Sequence, residues 1–154
     1  MQSPRRETVS RSSMTEFGLA GNSKYAQVRS MLETRPVFDT VEAWMRFFGY
    51  PRKDIFAFRL ALEEAVANAL QHGNGGDRAK YVQITYAVLN DEAIAQVSDE
   101  GSGFDPQQVP DPLAGGKFVR AVGLGLFLMR AYTSWVSYNR QGNCVTLCRY
   151  RSKS

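Results

Sequence analysis

The chain has 154 residues, enough for one domain that buries roughly two-thirds of its unfolded surface. Apolar residues make up 44% without a run near the 18 or so needed to cross a membrane, and a single histidine with two cysteines is too few for a structural zinc cage. The net charge of +4 is scattered among acids, with no basic stripe interleaved with aromatics, so nucleic acid is not an expected direct partner.

Residues 1–24 are rich in Ser, Arg and Thr and lack the apolar h-region of a secretory signal; they are expected to be a disordered leader. YAQVRSML (25–32) predicts a first strand. Pro36 then opens a helix whose stripe of Val37, Val41, Trp44, Met45 and Phe48 ends near Gly49. A longer helix is predicted from about Pro51 to His72, with Gly73 as its C-cap. YVQITYAVLN (81–90) and EAIAQVSD (92–99) form a hairpin about Asn90-Asp91. Residues 104–121, with three prolines and two adjacent glycines, predict a loop, and Gly123 to about Tyr132 a helix. Ser134–Arg140 and Cys144–Arg151 are two more strands around Gln141-Gly142-Asn143. Cys144 and Cys148 share a strand face too far apart to bridge, which suits reduced thiols in the cytoplasm. The order implies an α/β two-layer sandwich, a mixed, mostly antiparallel sheet with helices on one face.

Three segments carry chemistry. On the long helix, Ile55, Phe58, Leu62, Ala65, Val66 and Ala69 cluster on the side facing the sheet. Glu64 and Asn68 stack on another face, beside Ala57 and Ala61, which are small enough to leave room for a ligand. An amide oxygen there suits Mg²⁺, which keeps most of its waters, and the carboxylate can accept a proton. Next, a strand ends in Asp99-Glu100-Gly101-Ser102-Gly103: the carboxylate accepts hydrogen bonds, as an exocyclic amine requires, and the glycines let backbone approach a planar base. Third, Gly123 and Gly125 stand at the mouth of a helix, where open N–H groups favour phosphate. The loop before them, with Gly115, Gly116, Lys117 and Arg120, suits a lid whose cations neutralise a γ-phosphate. Each residue also has a plain structural reading: surface Glu and Asn, a glycine turn, tight helix packing, solvated loop charges. His72 is best read as a helix-end cap, and Phe127, Met129, Trp135 and Tyr138 as core. The three segments together favour a magnesium-nucleotide site over those separate readings.

With these segments the chain resembles the Bergerat-fold (GHKL) ATPase superfamily, and within it the stand-alone bacterial anti-sigma factor serine/threonine kinases. Glu64 to His72 matches the family's acid-x-x-x-Asn-Ala-x-x-His box, Asp99 to Phe104 its Asp-x-Gly-x-Gly-Phe box, and Gly123 to Gly125 its glycine pair. The resemblance covers residues 25–151 and implies an ATP-binding kinase domain there. It implies Glu64 as general base, Asn68 as Mg²⁺ ligand and Asp99 as adenine acceptor, with Gly101 and Gly103 shaping that wall. Gly123, Leu124 and Gly125 would hold the phosphates and Thr146 would lie near the base. Glu63 precedes Glu64 where the family more often has a neutral residue. The implied cofactors are ATP and Mg²⁺. The implied partners are a STAS-type anti-sigma-factor antagonist, phosphorylated on serine or threonine, and a sigma factor or response regulator held in a partner switch. Homodimerisation is implied through the N-terminal strand and its neighbouring helix. The alternative is a nucleotide-binding module that captures proteins without phosphotransfer.

Overall fold

The computed structural model describes residues 23–103 and 117–153. Along the chain lie β1 (Lys24–Val28), α1 (Arg35–Phe47), α2 (Arg52–Asn68), β2 (Val82–Val88), β3 (Glu92–Ser98), α3 (Lys117–Tyr132), β4 (Trp135–Tyr138) and β5 (Cys144–Tyr150). Residues 1–22 of the expected leader and the stretch 104–116 lie outside the described residues, while Lys24, expected to end the leader, opens β1. No helix among the described residues is long and apolar enough to cross a membrane.

Apolar periodicity accounts for the helices. In α1, Pro36 occupies the first turn, where its missing N–H costs nothing, and Val37, Phe38, Val41 and Met45 are buried. The helix stops at a left-handed Gly49 (φ 79°), which returns its N–H to the Arg46 carbonyl. All six residues expected to face the sheet are buried, five in α2 from Ile55 to Val66 and Ala69 just beyond it.

The strands form one sheet in the order β1-β2-β3-β5-β4. Every pairing among the described residues is antiparallel, which corrects the expected mixed sheet. The crossover through α3 does return β4 parallel to β3, but β5 hairpins back into the gap, so the two do not pair. Alternation along the strands separates two faces. Val82, Ile84, Tyr86, Ala95, Val97, Val145 and Leu147 share the main core with Phe58, Leu62, Val66 and Met129 of the helices. Ala87, Ile94 and Cys148 form a small cluster on the other face with Leu89 and Trp135.

One buried ion pair fastens the start of α2 to β5 on the helix-facing side of the sheet. Asp54, in the first turn of α2, is fully buried, and its Oδ1 accepts Arg149 Nη2 at 2.8 Å and Nε at 3.1 Å. Ser152 donates its hydroxyl to Oδ1 and its N–H to Oδ2, both at 2.7 Å. Arg149 spends Nη1 on the Tyr132 carbonyl at the end of α3 (3.0 Å). The first turn of α2, the last of α3, β5 and the C-terminal segment therefore meet at one carboxylate.

Candidate functional site

The C-terminal end of α2 is the hub. Glu64 and Asn68 are both half-buried and one turn apart, as their spacing requires. Their stripe continues to Ala57 and Ala61, but these are 2% and 0% exposed. They do not leave the open space expected of them. α3 packs along α2, and small side chains are what permit that approach. At the upper end of the stripe the two helices nearly touch: a Cβ on Gly125 would lie 2.6 Å from the Asn68 amide nitrogen. The first and third motifs thus share one contact.

α3 begins at Lys117, six residues before the expected start. Phe118, Val119, Ala121 and Val122 propagate a helix without a breaker, and the Gly115-Gly116 pair precedes it. Gly123 and Gly125 consequently lie inside the helix, where N–H groups are committed to carbonyls one turn back, not at an open mouth. Each glycine costs about 1 kcal/mol there relative to alanine, offset by burial of Leu126 and Met129. Lys117 and Arg120 belong to the same helix rather than to a loop; their side chains, and the rest of the expected lid, lie outside the described residues. Leu124 turns a half-exposed side chain (50%) outward.

Beyond Asn68 the helix widens into a π-helical turn, Ala69–Gly73, in which Asn74 N–H reaches back to Ala69 O at 2.8 Å. His72 sits half-buried in this turn, and burial holds its imidazole below the usual range, favouring the neutral form. It therefore brings no charge to the helix end. The turn carries Gly73 onto the second motif: a Cβ there would come within 2.1 Å of Asp99 Oδ2, and one on Gly101 within 2.0 Å of Gly73 O. At Gly101 the obstacle is backbone and only glycine fits; at Gly73 a side chain would displace the Asp99 carboxyl. Asp99 is half-buried, and its Oδ1 accepts the Gly101 N–H at 2.8 Å. Burial raises its pKa, and the Gly101 N–H and the charge of Lys80 only partly oppose that.

The β4–β5 turn supplies the remaining wall. Asn143 accepts the Asp99 N–H on its carbonyl (3.0 Å) and donates its amide to Gly101 O (3.3 Å). Gly103 is left-handed (φ 85°), and a Cβ on it would strike the Gln141 carbonyl at 1.8 Å. Thr146 is not part of this wall. Its neighbours Val145 and Leu147 belong to the helix-side core, so Thr146, 2% exposed and in register with Gln96 and Ser137, points to the opposite face of the sheet. Asn143 holds the position beside Asp99 that was expected of it. Asn143 and Asn74 escape a sequence reading because both act on backbone groups remote in sequence; the one signal is Asn in a turn.

Three polar features therefore converge: a half-buried carboxylate walled by glycines and Asn143, an amide against a helix glycine, and a carboxylate one turn before it. Among the described residues no three His, Cys, Asp or Glu side chains gather to hold a metal ion. A cation that takes one or two protein oxygens and keeps its waters still suits Asn68.

Residues 29–149 match the model of the histidine kinase-like ATPase domain. The chain is 31% identical over 115 residues to the serine-protein kinase RsbW of Bacillus subtilis, covering 66% of this chain and 68% of that protein. It is 32% identical over 93 residues to RsbW of Bacillus licheniformis, where it spans 53% of this chain and about half (54%) of the relative. RsbW of Listeria monocytogenes is 28% identical over 109 residues, covering 66% and 69%.

Proposed function

The chain belongs to the histidine kinase-like ATPase family, and on that premise we propose that it is a serine/threonine protein kinase acting as an anti-sigma factor. Its reaction moves the γ-phosphoryl group of ATP to a hydroxyl of a small antagonist protein, and it sequesters a sigma factor or similar regulator in the alternate state. The serine-protein kinase names of its relatives support the activity. The observation that carries the reading is the junction of the three motifs, Gly73 and Gly101 against the Asp99 carboxyl and Gly125 against the Asn68 amide.

In this reading Asp99 accepts the exocyclic amine of adenine, and the glycine walls leave room for the ring. A half-buried carboxylate aimed at a donor is worth more than a solvated one. Asn68 offers its amide oxygen to Mg²⁺, which when bound neutralises charge on the phosphates. Gly123, Leu124 and Gly125 would border the phosphates through close backbone approach rather than open N–H groups, and Lys117 and Arg120 would supply cations to them. Glu64 takes the proton of the acceptor hydroxyl as its oxygen bonds to the γ-phosphorus and ADP leaves.

Calorimetric titration tests the adenine site. Wild-type protein is expected to bind Mg-ATP saturably and not GTP, and Asp99→Asn to bind Mg-ATP about 10- to 100-fold more weakly, the value of one hydrogen bond to a charged group. Asn keeps an acceptor for the Gly101 N–H and removes a charge that burial disfavours, so the melting temperature is expected to hold or rise. Failure of the folded wild type to bind ATP overturns the reading.

Gly125→Ala is expected to separate stability from nucleotide binding. Alanine favours the helix by about 1 kcal/mol, and the atom it meets is the tip of Asn68, which can swing aside. Thermal melts should hold or rise while ATP affinity loses its dependence on magnesium. Unchanged magnesium dependence would remove Asn68 as the ligand.

A further inference from the structure

We infer that Asn74 is a positioning residue that sets the Asp99 carboxylate for the nucleobase, an inference that rests on the reading of Asp99 as the adenine acceptor. Asn74 follows the π-helical turn directly and is 3% exposed. Its amide nitrogen donates to the Tyr81 carbonyl at 3.0 Å, and its Oδ1 accepts the Glu100 N–H at 2.8 Å. The Tyr81 N–H in turn donates to Glu100 Oε2 at 2.6 Å. A ring of three hydrogen bonds thus joins the end of α2, the approach to β2 and the residue after Asp99.

The two chain segments grip each other at two neighbouring points. Gly73, the residue before Asn74, packs on the Asp99 carboxyl, and Glu100, the residue after Asp99, is bonded to Asn74. Fixing the Glu100 N–H fixes the peptide plane between Asp99 and Glu100, and the Gly101 N–H then sets the rotation of the carboxylate. Each end of the Asn74 amide satisfies a backbone group from a different segment. Removing it leaves a donor and an acceptor without partners at the seam, and the Asp99 loop is released from α2. Asn74 acts through Asp99, not on the nucleotide. Its loss should therefore weaken recognition of the amine that Asp99 reads and leave phosphate contacts alone.

The test compares Mg-ATP with Mg-ITP, whose base carries a carbonyl where adenine has the amine, in the full-length wild type, Asn74→Ala and Asp99→Asn. Asn74→Ala is expected to bind Mg-ATP about tenfold more weakly with Mg-ITP unchanged, so that the ATP preference collapses. KM for ATP should rise by the same factor with kcat at saturation within about twofold. A folded Asn74→Ala that keeps the wild-type preference, or that loses both nucleotides equally, overturns the inference and leaves Asn74 a purely structural residue. Asn74→Ser, whose hydroxyl is too short to bridge both backbones, meets the same criterion should the alanine variant not fold. Preference lost in Asp99→Asn but kept in the Asn74 variants overturns this inference alone. Preference kept in Asp99→Asn overturns the adenine reading and this inference with it.

Discussion

Replacing Glu64 by Gln is expected to slow phosphotransfer to a protein acceptor by about 10²–10⁴-fold, the usual contribution of a positioned base, with Mg-ATP affinity within about twofold of wild type. Gln preserves the size and hydrogen-bonding shape of Glu and removes only its ability to take a proton. The choice of Glu64 over Glu63 rests on position, since both are half-buried. Glu64 lies one turn before Asn68, on the stripe that meets Gly125, while Glu63 is rotated about 100° away. Glu63→Gln is accordingly expected to keep most of the activity. The check is single-turnover transfer of labelled γ-phosphate with calorimetry on the same preparations. Full activity in the Glu64 variant would favour a nucleotide-binding capture module or a different base; the loss appearing in Glu63→Gln instead would reassign the role within the pair.

Asp54→Ala is expected to be the most damaging single substitution for stability, by about 3–5 kcal/mol, because it strands a largely buried guanidinium. For a chain of this size that is roughly 6–20 °C in melting temperature. The Arg149 side chain is only 20% exposed, and the loss also frees the Ser152 N–H and hydroxyl. Burial by itself would raise the Asp54 pKa. The Ser152 N–H, the Arg149 guanidinium and the Ser152 hydroxyl outweigh it and hold the carboxyl below the usual range. A carboxyl with a lowered folded pKa stabilises the fold above its unfolded value, about 3.9, and loses that contribution as pH falls through the folded value. The gap between wild type and Asp54→Ala in urea unfolding should therefore be widest near neutrality and narrow below about pH 4. A gap that does not change with pH would show the cost to be lost packing, not lost charge.

Much of the architecture was legible because apolar spacing leaves little freedom. The stripe from Ile55 to Ala69 has one amphipathic solution, and the two hairpins are announced by Asn90-Asp91 and by Gln141-Gly142-Asn143. The site was legible where function needs a residue type at a spacing within one element, as with Glu64 and Asn68. Thr146 was expected near the base from the family resemblance alone; one residue of strand phase exchanges the two sheet faces, and the resemblance did not fix which residue of this strand faces the helices. The start of α3 was obscured by glycines that look like an opening but sit inside the helix, where the contact with Asn68 explains one of them. The Asp54–Arg149 pair joins residues 95 apart, and no local pattern foreshadows it.

The π-helical turn after Asn68 also makes the junction with the Asp99 loop a matter of chain length as much as chemistry. A π turn holds one residue more than the α-helical turn it replaces, and that surplus residue shifts everything after it by about 100° around the helix axis. Gly73 and Asn74, at the end of that turn, both meet the Asp99 loop. A substitution along α2 changes one side chain at a time, whereas deleting one residue between Ala69 and Gly73 would displace both contacts together. The number of residues from Ala69 to Gly73, as much as the identity of any one of them, sets where that junction falls.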